Sequence, residues 1–171
     1  TKERTRAARG TGRGALAINF QKEWPEAAVT ATDISPSALE GAMRNAEQIN
    51  AAITFREGDL TDPIKDATSD IILSNPPYIA YDEAEAMSTT VLAFEPHNAL
   101  FANEDGLYFY RKLAKNLPHI MNKPPLIGME IDYKQGAAVH KLFKTAFPNA
   151  SVETVKDIKG TDRMLCFEIL D

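Results

Sequence analysis

The sequence predicts an α/β domain in which a mostly parallel β-sheet carries helices on both faces. Strand-like and helix-like stretches alternate through most of the chain, and such alternation is satisfied most simply by parallel strands joined through helical crossovers. The last two strand-like stretches follow one another with no helix between them, so they are expected to form an antiparallel hairpin at one edge. With 171 residues, 44% of them hydrophobic and 25% charged, the chain has the composition of a globular domain. A domain of this size buries roughly 70% of the surface its unfolded chain exposes, so its core requires neither metal nor disulfide.

The elements follow from local patterns. Residues 14–24 (GALAINFQKEW) read as a short helix after a glycine-rich turn, and 27–33 (AAVTATD) as a strand ending on an acid. Ser35 is an N-cap with Pro36 at the first helical position, and Leu39, Ala42, Met43, Ala46 and Ile49 recur at helical spacing up to Asn50. Residues 53–59 (ITFREGD) and 69–75 (SDIILSN) read as strands, the second stopped by Pro76 and Pro77. The polar stretch from Ile79 to about Asn103 is long for a connector, as lids and binding segments are. A helix over 106–120 puts Leu107, Tyr110, Leu113, Leu117 and Ile120 on one face. A strand over 125–132, a helix over 135–147 and strands starting at Ser151 and Met164 complete the order, with a turn at Lys159 to Asp162.

Composition also excludes functions. No stretch approaches the ~18 to 20 apolar residues that span a bilayer, and the basic start TKERTRAARG leads into no long apolar run, so neither membrane insertion nor secretion is expected. The single cysteine, Cys166, forms no intrachain disulfide and reads as a core thiol, which fits a reducing, cytoplasmic setting. A net charge of −5 is the wrong sign for a chain that neutralises many phosphates, so nucleic acid is disfavoured as a partner. His97, His119 and His140 are too scattered to define a metal site, and no metal is expected. Asp82, Glu83, Glu85 and Glu95 in the long polar stretch read as solvated, or as facing a basic protein.

Four features fall at the carboxyl ends of predicted strands, where parallel sheets bind ligands. Gly10-Thr11-Gly12-Arg13-Gly14-Ala15 allows a tight turn and close approach to helix N–H groups. It fits both the G-x-G-x-x-[GA] of dinucleotide sites and the G-x-G-x-G of S-adenosylmethionine sites, or a plain flexible turn. Asp33 can accept from two ribose hydroxyls or cap a helix entry. Asp59 can accept from an adenine amine or cap a loop. In Asn75-Pro76-Pro77-Tyr78, a strand-end Asn precedes two residues without N–H groups, which leaves carbonyl acceptors free of competing donors. Such a turn suits a planar NH₂ group, with the Tyr78 ring covering it from behind.

The blocks GTGRGALAI, ATDISPSALEGAMRNAE, FREGDL, SNPPYI, FEPHNALFANEDGLYFYRKL, EIDYKQGAAVHKLF and DIKGTDRML, in this order over residues 10 to 170, resemble the protein-(glutamine-N5) methyltransferases of peptide-chain release factors. The resemblance implies a class I S-adenosylmethionine-dependent methyltransferase fold, Rossmann-like, with a mostly parallel seven-stranded sheet whose last strand lies antiparallel beside the fifth. It implies that Gly10, Thr11, Gly12 and Gly14 approach the methionine part of S-adenosylmethionine, with Asp33 and Ile34 at the ribose and Asp59 and Leu60 at the adenine. Asn75, Pro76 and Tyr78 would be catalytic, and with Pro77 and Glu95 would bind a glutamine in the Gly-Gly-Gln loop of a class-1 release factor. Asn75 also borders the cofactor. Residues 1–171 then form a single catalytic domain, favoured as a monomer, and the family's helical N-terminal substrate-binding domain has no counterpart in the sequence.

The start departs from this family. Its members have an apolar strand ending in an acid before the glycine turn, whereas Ala8 stands where the acid would be and TKERTRAAR holds no Val, Ile or Leu. The residues therefore do not support a first strand, and they leave open whether this start permits cofactor binding. The motif Asn75 to Tyr78 by itself also suits adenine-N6 or guanine-N2 methyltransferases acting on nucleic acid. A catalytically defective fragment of the fold is the other alternative. It is the EP-x-x-AL at Glu95 and the EDGL-x-FYR at Glu104 that resemble the release-factor enzymes.

Overall fold

The computed structural model describes residues 5–9, 14–65, 68–76, 79–80, 101–102 and 106–169. In chain order its elements are β1 (Thr5–Arg9), α1 (Ala15–Glu23), β2 (Ala28–Asp33), α2 (Pro36–Gln48), β3 (Ile53–Glu57), a 3-10 turn (Asp62–Ile64), β4 (Ser69–Ser74), β5 (Ile79–Ala80) and β6 (Phe101–Ala102). Then come α3 (Tyr108–Asn116), a second 3-10 turn (Leu117–His119), β7 (Met121–Glu130), α4 (Gly136–Ala146), β8 (Ala150–Lys156) and β9 (Asp162–Ile169). Seven strands make one sheet in the order β3-β2-β1-β4-β7-β9-β8. β1 to β4 and β7 pair in parallel, and β9 runs antiparallel between β7 and β8, as the missing helix between the last two strands predicts.

The strand that its residues do not support is formed, and it is central. β1 pairs with β2 along one edge and with β4 along the other. Strand preference measures fit to neighbours more than a backbone bias, so two-sided pairing can hold a segment that lacks large apolar residues. β7 begins at Met121, four residues before the predicted Pro125. Its register with β4 shifts between Ser69 and Ile71, and this irregularity accommodates Pro124 and Pro125, which have no N–H to give a regular ladder. The long polar stretch is bounded by a two-residue parallel pair of β5 with β6, while residues 81–100 lie outside the described residues.

Neighbouring residues of β4 point to opposite faces and seed two cores. On one face Ile71 and Leu73 pack with Ala17 and Phe20 of α1 and with Val29 and Ala31 of β2. On the other, Ile72 joins Ile127 and Met129 of β7, Leu165 and Phe167 of β9, and the helices α3 and α4. Of the stripe predicted over 106–120, Tyr110, Leu113, Leu117 and Ile120 are buried and Leu107 is partly buried against the same core, while α3 itself ends at Asn116. Pro118 converts its end to a 3-10 turn by removing an N–H. In α2, Ser35 caps through its hydroxyl, which accepts from Ala38 N at 3.3 Å, and Leu39, Ala42 and Ala46 are buried. Met43 and Ile49 are exposed, so the inward stripe is narrower than predicted. Cys166 is half-buried rather than a full core residue, because its face of β9 lies opposite the larger core. Burial, with the nearby Glu153 carboxylate, pushes its thiol pKa up.

Two substitutions test this packing. Phe143, fully buried, packs against Phe147 and Phe167 with ring centroids 6.4 and 5.1 Å away. Phe143→Ala is expected to cost about 3–5 kcal/mol, read as a lower urea midpoint at unchanged slope. The buried Tyr110 hydroxyl donates to the Glu130 carbonyl at 2.8 Å, tying α3 to the end of β7. Tyr110→Phe should cost about 1–3 kcal/mol in the same experiment, and an unchanged midpoint would show that the tie contributes nothing.

Candidate active site

One register row crosses the sheet through Arg56, Thr32, Arg9, Ser74, Met129 and Leu165. The next residue on each parallel strand therefore stands on one rim, and these residues are Glu57, Asp33, Asn75 and Glu130, with the glycine turn following Arg9 in the chain. The order of strands reverses at β1, since β2 and β3 build outward on one side and β4 and β7 on the other. A crevice opens at such a switch point beyond the strand ends. Asp33 and Asn75 flank it from strands two spacings apart, about 10 Å.

On the β2 side, Asp33 already has structural work. Its Oδ1 accepts from Ser35 N at 2.9 Å, so the helix-entry role that the sequence left open is realised. Ile34 beside it is 57% exposed and faces outward. Gly14 ends the glycine turn with φ 84° and opens α1, accepting from Ile18 N at 2.9 Å. A Cβ there would lie 3.0 Å from Ala42 Cβ, so glycine is required for α1 to approach α2 as well as for the turn. Gly10, Thr11 and Gly12 lie outside the described residues.

The turn after β3 is the most constrained part of the rim. Gly58 has φ 148°, and a Cβ on it would sit 2.4 Å from Pro63 Cγ, while Leu60 adopts φ 49°, a left-handed value that is rare for a bulky residue. Four tethers hold this turn. Gly58 N donates to the Asp33 carbonyl at 2.9 Å, and the buried Thr32 hydroxyl donates to the Leu60 carbonyl at 3.0 Å. From α3, Asn116 Nδ2 donates to the buried Thr61 hydroxyl at 2.6 Å, and the Lys112 ammonium donates to Asp59 Oδ2. Lys112 is largely buried and Asp59 partly so, with side chains 24% and 38% exposed. Burial opposes the charge on Lys112, but the hydrogen bond and field of Asp59 prevail and raise its pKa above the usual lysine value.

On the β4 side, Asn75 is exposed and Pro76 is buried. Beneath them the Ser74 hydroxyl is buried and makes no hydrogen bond among the described residues. Pro77, Tyr78 and Glu95 lie outside the described residues. The structure thus brings Asp33 together with the Gly58–Leu60 turn and aligns Asn75 on the same rim. Lys112, Asn116, Thr32 and Thr61 are participants that the sequence reading missed. The available signal was weak: Lys112 and Asn116 stand four apart on a helix, flanking its apolar stripe, which is how solvated residues also look. Among the described residues no group of three or more His, Cys, Asp or Glu is placed to hold a metal ion, and no helix is long and apolar enough to cross a membrane.

Known proteins resemble both the sequence and the fold. The release factor glutamine methyltransferase of Bacillus subtilis (strain 168) is 43% identical over 159 residues, which is 92% of this chain and 55% of that protein. The chain spans a little over half the length of the curated relatives it matches. Among solved structures, a methyltransferase from Pyrococcus furiosus aligns with a TM-score of 0.70 at 21% identity, covering 95% of this chain and 73% of that one. The N-terminal domain of human METTL16 in complex with SAH aligns at 0.66 and 15%, covering 99% of this chain and 63% of that one. Both share the fold. The family described as Methyltransferase small domain matches residues 2–123, a span that runs from the central strand through the crevice turns to the start of β7. On that match and this sheet order, the chain belongs to the methyltransferase small domain family.

Proposed function

We propose that this chain is the catalytic domain of an S-adenosylmethionine-dependent methyltransferase that methylates N5 of a glutamine side chain, in the Gly-Gly-Gln loop of a class-1 peptide-chain release factor. The supporting observation is 43% identity, over nearly the whole chain, to a protein named for that activity, in a chain whose β4 is followed directly by Asn75-Pro76. The net charge of −5 suits a protein substrate better than RNA.

The donor set on the rim fits the cofactor. Asp33 ends β2 and Asp59 follows the end of the adjacent β3, where Gly58 N donates to the Asp33 backbone carbonyl, and a carboxylate pairs with a vicinal diol or an exocyclic amine. In this reading Gly10, Thr11, Gly12 and Gly14 border the methionine part, Asp33 and Ile34 the ribose, and Asp59 and Leu60 the adenine. The cofactor, when bound, supplies an electrophilic methyl on a cationic sulfonium. The chain's own residues bind and orient the acceptor: the Asn75 side-chain oxygen and the Pro76 carbonyl each take one amide hydrogen, which fixes the direction of the nitrogen lone pair. In this reading Tyr78 covers the planar amide, and Pro77 and Glu95 are further substrate-binding residues. An amide nitrogen is conjugated and weakly nucleophilic, so its charge in the transition state must be stabilised, and carbonyl oxygens already in place do this without reorganising. After transfer the methylated nitrogen loses its proton to solvent water, which the exposure of Asn75 admits.

The first test is calorimetric titration of the chain with S-adenosylmethionine and S-adenosylhomocysteine against NAD, followed by methyl transfer to a Gly-Gly-Gln protein substrate. Binding of the sulfur ligands alone is expected; a folded chain that binds neither would refute the reading. Asn75→Ala should lower the methylation rate by about 10²–10³-fold while cofactor affinity stays within a few-fold, and an equal loss of both would remove Asn75 from the acceptor's site. Asp33→Ala should weaken S-adenosylhomocysteine binding by about 10- to 100-fold, and unchanged affinity would place the ribose elsewhere.

A further inference from the structure

We propose that Lys112 is a positioning residue for recognition of the cofactor's purine: it holds Asp59 by Oδ2 and leaves Oδ1 as the acceptor for the exocyclic amine. The inference rests on the reading of Asp59 given above and adds to it a helix that no cofactor motif includes. Three observations carry it.

The ion pair is unlike the others near it. Lys65 with Asp62 and Arg44 with Glu40 are pairs of neighbouring residues whose side chains are 45 to 70% exposed, the kind that contributes little. Lys112 reaches a residue 53 positions away with three quarters of its side chain covered. Ordering a lysine side chain costs up to about 2 kcal/mol, so a chain that orders one here gains a fixed carboxylate in return.

The clamp is also double. Asn116, one helical turn beyond Lys112, holds Thr61 at 2.6 Å, so α3 grips the turn at two points two residues apart. Thr32 and the Asp33 carbonyl grip it from β2. The held turn, moreover, is one that would not persist alone. Leu60 at φ 49° carries a cost of about 1–2 kcal/mol that only its surroundings offset. A carboxylate held in this way enters binding with its rotamer already selected, which removes that cost from the affinity.

A lysine that merely stapled the loop would affect every ligand of the crevice alike, whereas a positioning lysine affects the purine amine. The experiment therefore compares S-adenosylhomocysteine with its analogue carrying hydrogen in place of the exocyclic amine. Dissociation constants are measured for the wild-type chain, Lys112→Met and Lys112→Arg, with a thermal melt to verify folding. The wild-type chain is expected to prefer the amine-bearing ligand by about 10-fold or more. Lys112→Met should lose most of that preference by weakening the amine-bearing ligand, with the analogue changed by less than two-fold, and Lys112→Arg should restore it. Equal weakening of both ligands, or an undiminished preference in a folded Lys112→Met, overturns the role of Lys112 and leaves Asp59 in place. A wild-type chain without preference, or without binding, overturns the reading of Asp59 and the inference with it.

Discussion

Every group on the crevice rim stands where it does because β1 is paired along both of its edges. β2 and β4 are not paired with each other; each is held in register by the strand between them, and with them go Asp33 on one side and Asn75 on the other. Parallel pairing fixes the register as well as the neighbours, and the row from Arg56 to Leu165 is unbroken across six strands. A slip of one residue at β1 would shift the two halves of the rim against each other by over 3 Å and reverse the faces of the strand. The segment TRAAR holds this position without a large apolar side chain. Backbone hydrogen bonding on two sides is the constraint on which the site depends.

The helices divide the remaining work. α1 follows the glycine turn and seals the smaller core with Phe20, while its first turn approaches α2 closely enough that Gly14 admits no side chain. α3 and α4 seal the larger core, where Phe143, Phe147 and Phe167 form an aromatic cluster between α4 and the antiparallel pair. α3 joins the larger core to the crevice. Tyr110 and Leu113 are buried beneath it, Tyr110 fastens it to the end of β7, and Lys112 and Asn116 reach sideways to the turn after β3. The same helix thus carries apolar burial on one stripe and loop control on the next.

That division explains how a strained turn survives at the rim. Left-handed backbone at Leu60 and the crowded Gly58 would relax if the turn were free. Tethers from β2 and α3 come from elements that are each anchored in a different core, so the turn is held by the body of the domain and not by its own sequence. Strain kept in this way sits beside the carboxylate Asp59, where a fixed geometry has most effect on a ligand.

The sequence by itself determined the alternation of strands and helices, the Ser35-Pro36 helix start, the apolar stripe of α3, the terminal hairpin, and the places of Asp33, Asp59 and Asn75 after their strands. Each of these is written in residues close together in the chain, through periodicity, capping and turn chemistry. The tertiary structure alone decided that TRAAR is the central strand, that β7 starts before its two prolines, that Met43 and Ile49 of α2 remain outside the core, and that Lys112 belongs to the crevice. These outcomes depend on partners far along the chain. A strand without apolar pattern is specified by the edges it meets, and a lysine on a helix is a surface residue or a clamp according to what the fold sets beside it 53 residues away.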